Sequence, residues 1–134
     1  MTLDHIGVAV RNLDAALKNY RALGLESSTR EVIADQGVEV VVLPLAGTRL
    51  ELLRPLGEDT PVGRFIARRG EGLHHIALAV PDIRIALANC RAAGIELIDD
   101  GPRPGAEGRL VAFIHPRAMG GVLVELVHAS PPTK

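Results

Sequence analysis

Residues Leu73–Glu96 read LHHIALAVPDIRIALANCRAAGIE, and residues Leu3–Glu26 read LDHIGVAVRNLDAALKNYRALGLE. An offset of 70 aligns them without a gap, and 12 of the 24 positions are identical, where roughly one or two would coincide at ordinary residue frequencies. The chain is therefore internally duplicated, and the repeat governs every later step of the reading. It pairs His5 with His75. Further on, Gly47-Thr48-Arg49-Leu50-Glu51-Leu52 matches Gly121-Val122-Leu123-Val124-Glu125-Leu126 at an offset of 74. Glu51 and Glu125 are thus repeat partners as well. Each repeat carries one His on its first strand-like run and one Glu on its last.

Each repeat spells out the same order of elements. Leu3–Val10 alternates like a half-buried strand, with Ile6, Val8 and Val10 on a bulky face and His5, Gly7 and Ala9 on the other. Asn12 suits an N-cap and Gly24 a C′ position, framing a helix over 13–23 whose apolar face is Leu13, Ala16, Leu17, Tyr20 and Leu23. Strand-like runs follow at 26–34, 38–44 and 48–54, separated by turn residues at Asp35-Gln36-Gly37 and Ala46-Gly47-Thr48. Thr60, Pro61 and Gly70 frame a short connecting helix within residues 55–72. The second copy repeats the plan: a strand over 73–80, a helix over 83–93 between Asp82 and Gly94, then strands near 95–99, 109–115 and 121–128. A Gly/Pro-rich loop, Asp100–Gly108, separates the first two of those strands, and residues 130–134 are expected to fray. The fold class is α+β: two tandem βαβββ units, about 3–55 and 73–128, forming a curved eight-stranded mixed sheet in one domain over 1–134.

Composition narrows the function classes. At 134 residues and 47% hydrophobic content the chain has material for one core, and 2% aromatic content makes that core aliphatic. A net charge of −1 gives no basic field for nucleic acid, and few aromatics remain to stack bases. No apolar run approaches the ~18 residues of a membrane span. A strand pattern that begins at once leaves no room for a signal peptide, and a single cysteine, Cys90, fits a reducing cytoplasm. Cys90 occupies the helix position of Tyr20 and is expected to pack rather than react. His128 reads as a strand-end surface residue, and His115 as a rim or turn residue.

A strand His is usually a hydrogen-bonded structural residue, and a Glu between apolar neighbours is often an edge charge. Two His and two Glu in two symmetric pairs weigh against both readings. Imidazole and carboxylate donors together suit a divalent first-row metal. Gly7 and Ala9 beside His5, and Ala77 and Ala79 beside His75, leave room for an ion and a ligand. His74 falls on the opposite face with Ile76, Leu78 and Val80.

The paired units with His, Glu, His and Glu on those strands resemble the vicinal oxygen chelate, or glyoxalase, superfamily. Within it the chain is most similar to the methylmalonyl-CoA epimerases. The resemblance rests on five segments in order: Asp4-His5-Ile6-Gly7, Glu51-Leu52-Leu53 running into Pro55-Leu56-Gly57-Glu58-Asp59, Gly70-Glu71-Gly72-Leu73-His74-His75-Ile76, Phe113-Ile114-His115-Pro116, and Gly120-Gly121-Val122-Leu123-Val124-Glu125-Leu126. It implies His5, Glu51, His75 and Glu125 as metal ligands, cobalt as the ion with nickel, manganese and zinc as alternatives, an acyl-CoA substrate, and a homodimer. It also implies two bases on opposite faces of the substrate, one of them Glu125. The family's second carboxylate position falls on Val40, so Glu39, the nearest carboxylate, is the expected second base if a local bulge turns it inward. A glyoxalase I-type lactoylglutathione lyase and a non-catalytic drug-binding protein of the same fold are the alternatives, with an extradiol dioxygenase behind them.

Overall fold

The computed structural model describes residues 1–129, and the expectation of fraying at 130–134 lies outside them. Residue contacts divide the chain into two compact units, His5–His74 and Met1–Asp4 with His75–Lys134.

The first unit contains most of β1 (Thr2–Ala9), with α1 (Leu13–Ala22), β2 (Thr29–Ile33), β3 (Val38–Leu45), β4 (Thr48–Pro55) and α2 (Pro61–Arg69). Its strands lie in the order β2-β3-β4-β1. β1 runs parallel to β4, with Gly7 opposite Glu51, while β3 is antiparallel to both β2 and β4. Asn12 starts α1 as expected: its side-chain oxygen accepts the Ala15 N–H at 3.0 Å. Gly24, at φ 95°, lets the chain leave the helix. Leu13 and Leu17 bury against Val10, Val41, Leu43 and Leu52, and burying such a leucine is worth roughly 1.5–3 kcal/mol. That packing commits the Val8, Leu52 and Val41 face of the sheet to α1, which leaves the His5 and Glu51 face for other work. Thr60 caps α2 by accepting the Gly63 N–H at 3.0 Å, and its hydroxyl donates to the Gly57 carbonyl at 2.7 Å.

The second unit contains most of β5 (Gly72–Val80), with α3 (Ile83–Ala92), β6 (Arg103–Pro104), β7 (Leu110–Ile114) and β8 (Val124–His128), in the strand order β5-β8-β7-β6. β5 is parallel to β8, with Ala77 opposite Glu125. Ile83 and Leu87 of α3 bury against Val80, Ala112, Ile114, Val124 and Leu126, and Cys90 packs at the edge of this cluster as expected. Asp82 accepts the Arg84 and Ile85 N–H groups at 3.0 and 3.3 Å. Replacing Asp82 with Ala is expected to cost about 1 kcal/mol; the shift in urea midpoint measures it.

Two expectations need correction. His128 is more than a surface residue, because its Nδ1 accepts the N–H of Ile83, the first residue of α3, at 3.2 Å. The sixth strand is not 95–99 but Arg103–Pro104, within the segment expected to be loop. Asp99 explains the change. Its carboxylate takes the Phe113 N–H at 2.8 Å, a donor a neighbouring strand would need. Residues 95–99 keep backbone bonds to this edge, Ile98 N–H to the Phe113 carbonyl at 2.9 Å and His115 N–H to the Glu96 carbonyl at 3.0 Å, but form only an isolated bridge, Leu97 to Ile114, and no continuous strand. Each unit thus supplies a mixed sheet with a parallel β1–β4 or β5–β8 pair, the βαβββ plan expected of an α+β chain.

Candidate functional site

Side chains alternate across a strand, and partners in register share a face. In the first unit that rule places His5, Gly7 and Ala9 of β1 with Glu51 and Leu53 of β4 and with Val42 and Val40 of β3. His5 Nδ1 lies 3.2 Å from Glu51 Oε2, and the two residues are each only 3% exposed. Gly7 sits directly opposite Glu51, so no side chain stands between the carboxylate and the imidazole one pleat away. Arg49 Nε lies 3.5 Å from the same carboxylate oxygen. A buried carboxylate is costly unless paired, and this geometry gives Glu51 both an imidazole and a guanidinium.

The second unit repeats the arrangement. His75 Nε2 lies 3.0 Å from Glu125 Oε1, with the residues 6% and 4% exposed. Ala77 takes the place of Gly7 opposite the carboxylate. Phe113, in register with Glu125, sets its ring edge-on to His75 at 5.6 Å between centroids. The Arg103 guanidinium lies over the Phe113 ring at 5.7 Å, with its Nε 3.4 Å from Asp99. Phe113 was legible only as part of the Phe113-Ile114-His115-Pro116 segment, and Arg103 carried no signal of its own; their stacking depends on β6 pairing with β7. His74 points away from this face and packs edge-on against Phe65 at 4.9 Å.

Glu39 is not brought to the His5 and Glu51 face. β3 stays in unbroken register with β4 from Val38 opposite Pro55 to Leu45 opposite Thr48, so no bulge turns Glu39 inward. It lies instead on the α1 side, opposite Arg54. There its carboxylate accepts from Arg30 Nε at 3.0 Å and Arg54 Nε at 3.0 Å, and Arg30 continues to Asp14 of α1 at 2.9 Å. Hydrogen bonds from Arg30 and then Arg54 hold the Glu39 pKa below its ordinary value. A depressed carboxylate pKa contributes stability above the unfolded-state value, and that contribution disappears as pH falls through the folded-state value. Glu39→Gln should therefore flatten the acid limb of stability between neutral and acid pH, as followed by urea midpoints. His115 takes the turn reading: its Nδ1 accepts the Arg117 N–H at 3.0 Å.

Each unit therefore holds a buried His–Glu contact whose nitrogen and oxygen donors suit a hard-to-borderline divalent cation. Residues 4–113 match the Glyoxalase/Bleomycin resistance protein/Dioxygenase superfamily, and the chain belongs to it. Its relatives within that superfamily are more specific. The chain is 40% identical over 127 residues to the ethylmalonyl-CoA/methylmalonyl-CoA epimerase of Cereibacter sphaeroides, covering 92% of this chain and 95% of that one. It is 40% identical to a methylmalonyl-CoA epimerase solved in complex with methylmalonyl-CoA and NH4+, at a TM-score of 0.92 over 96% of this chain and 94% of that one. A Streptomyces coelicolor methylmalonyl-CoA epimerase variant bound to 2-nitronate-propionyl-CoA superposes at a TM-score of 0.94 and 38% identity, over 100% of this chain and 98% of that one. Among the described residues no helix is long and apolar enough to cross a membrane.

Proposed function

We propose that the protein interconverts (2R)- and (2S)-methylmalonyl-CoA. His5, Glu51, His75 and Glu125 then hold one divalent ion, and Glu125 also carries a proton. The observation that carries this reading is the recurrence of the same buried His–Glu contact in both repeats, at 3.2 and 3.0 Å. The names of the relatives, at about 40% identity, supply the substrate.

The C2 proton of the substrate lies between a thioester and a carboxylate, so its removal delocalises charge onto the thioester oxygen. A bound divalent ion would supply Lewis-acid stabilisation of that charge. Glu125 accepts the C2 proton from one face of the carbon, or delivers one to that face in the reverse direction, with His75 fixing the carboxylate's orientation; inversion requires a proton donor for the opposite face as well. Gly7, Ala9, Ala77 and Ala79 leave space for the acyl group. Buried Val40, Val42, Leu53 and Val127 keep water from the carbanionic carbon and so protect the proton inventory. In this reading the two repeats work as one domain, cobalt is the preferred ion over nickel, manganese or zinc, and the active form is a homodimer in the cytoplasm.

Metal-loaded protein incubated with (2S)-methylmalonyl-CoA in deuterated water should epimerise it and take up deuterium at C2. Chelation should abolish both signals. Turnover of methylglyoxal with glutathione in place of methylmalonyl-CoA would overturn the assignment in favour of the lyase.

A further inference from the structure

Both repeats keep the His and the Glu, but a neighbour on the same strand face is not repeated. Arg49 stands two residues before Glu51, and the residue two before Glu125 is Leu123. The candidate ion ligands are thus symmetric and this cation is not. A malonyl thioester is asymmetric in the matching way: one end is a thioester and the other a carboxylate.

Arg49 lies where it can meet that carboxylate. Side chains alternate along β4, so Arg49, Glu51 and Leu53 share one face, opposite Pro44, Val42 and Val40 of β3. The other two arginines on strands of this unit, Arg30 and Arg54, bind Glu39 on the α1 side. Among the described strand residues on the His5 and Glu51 face of the first unit, Arg49 is therefore the one cation. Its side chain is only 18% exposed, and its Nε lies 3.5 Å from Glu51 Oε2. A guanidinium carries five N–H donors and takes a carboxylate with two of them side by side, so an anion can join the contacts Arg49 already makes.

Charge points the same way. In the proposed centre two Glu carboxylates balance a divalent ion, and Arg49 leaves one positive charge over. A guanidinium near an ion of the same sign is repelled unless an anion lies against both. The substrate's free carboxylate is such an anion. Neutralising it also eases deprotonation at C2, because the new negative charge then forms beside a paired carboxylate.

We propose that Arg49 binds the free carboxylate of the substrate and so selects malonyl-type acyl-CoA esters over simple ones. This assignment rests on the epimerase reading.

The experiment measures the affinities of methylmalonyl-CoA and of propionyl-CoA, the same thioester without the carboxylate, by calorimetry. Chelator-treated protein is used, so that no ion contributes, and a metal-loaded portion is analysed for bound metal. Wild type should bind methylmalonyl-CoA about 10–100-fold more tightly than propionyl-CoA, the range of a hydrogen bond to a charged group. Arg49→Leu, which copies the other repeat, should bring the two affinities together and keep the metal. Arg49→Lys should recover part of the preference, since it restores the charge but not the planar fork. A wild type that inverts methylmalonyl-CoA yet shows no preference for it overturns the inference and leaves the epimerase reading intact. So does an Arg49→Leu protein that keeps the preference. Loss of bound metal in Arg49→Leu, or equal weakening of both esters, assigns Arg49 to holding Glu51 and overturns it too. Should Arg49→Leu not fold, Arg49→Gln is read on the same comparison, and failure of both to fold by circular dichroism makes the role structural and ends the inference. A wild type that binds neither ester and inverts nothing sinks the epimerase reading, and this inference with it.

Discussion

Glu125→Gln should lower epimerisation by about 10³-fold and leave the fold intact. The amide keeps the shape of the carboxylate, so β8 retains its place in the sheet between β5 and β7. What it loses is the capacity to accept the C2 proton, a contribution of about 10²–10⁴-fold for a positioned general base. It also offers His75 a neutral partner in place of the carboxylate oxygen now 3.0 Å away, which weakens the donor set for a cation. Turnover, bound metal by elemental analysis and far-ultraviolet circular dichroism on the same preparation separate the two losses. Metal content retained with turnover lost assigns the effect to proton transfer. A drop of less than tenfold would remove Glu125 from the catalytic role.

Gly63→Ala should be the most damaging small substitution outside the site. Gly63 lies in the first turn of α2, where its N–H is held by Thr60 at 3.0 Å. A Cβ there would sit 2.7 Å from the Glu58 carbonyl oxygen and closer still to that of Gly57. Both obstacles are backbone, and Gly57 is fixed by the hydrogen bond from the Thr60 hydroxyl at 2.7 Å, so neither can swing aside as a side chain would. The expected cost is about 3 kcal/mol, at the upper end for overpacking, or a fall in Tm on the order of 10 °C. A Tm within 2 °C or so of wild type would show that the 57–60 turn yields more readily than its hydrogen bonds suggest.

The contrast between these two positions shows where sequence reading works. Glu125 announces itself through the repeat, because Glu51 stands at the matching place with the same apolar neighbours. Asn12, Thr60 and Asp82 likewise announce their helices, since a cap is a local bond between residues two or three apart. Gly63 carries no comparable signal; nothing in Pro61-Val62-Gly63-Arg64 says that a carbonyl from the preceding turn will press against it.

Local and repeated information thus determined the element order, the α+β class, and the partnership of His5 with His75 and of Glu51 with Glu125 across the repeat. Those features depend on periodicity, on short-range hydrogen bonds, and on a symmetry written twice in the chain. Tertiary structure decided what depends on register between distant strands. It turned Glu39 toward α1 and into the grip of Arg30 and Arg54. It moved the sixth strand to Arg103–Pro104 because Asp99 captured a ladder donor of Phe113. It also turned His128 into a partner for the start of α3, across 45 residues. A strand's own sequence says that alternate residues part company; only its neighbours fix which set faces the chemistry.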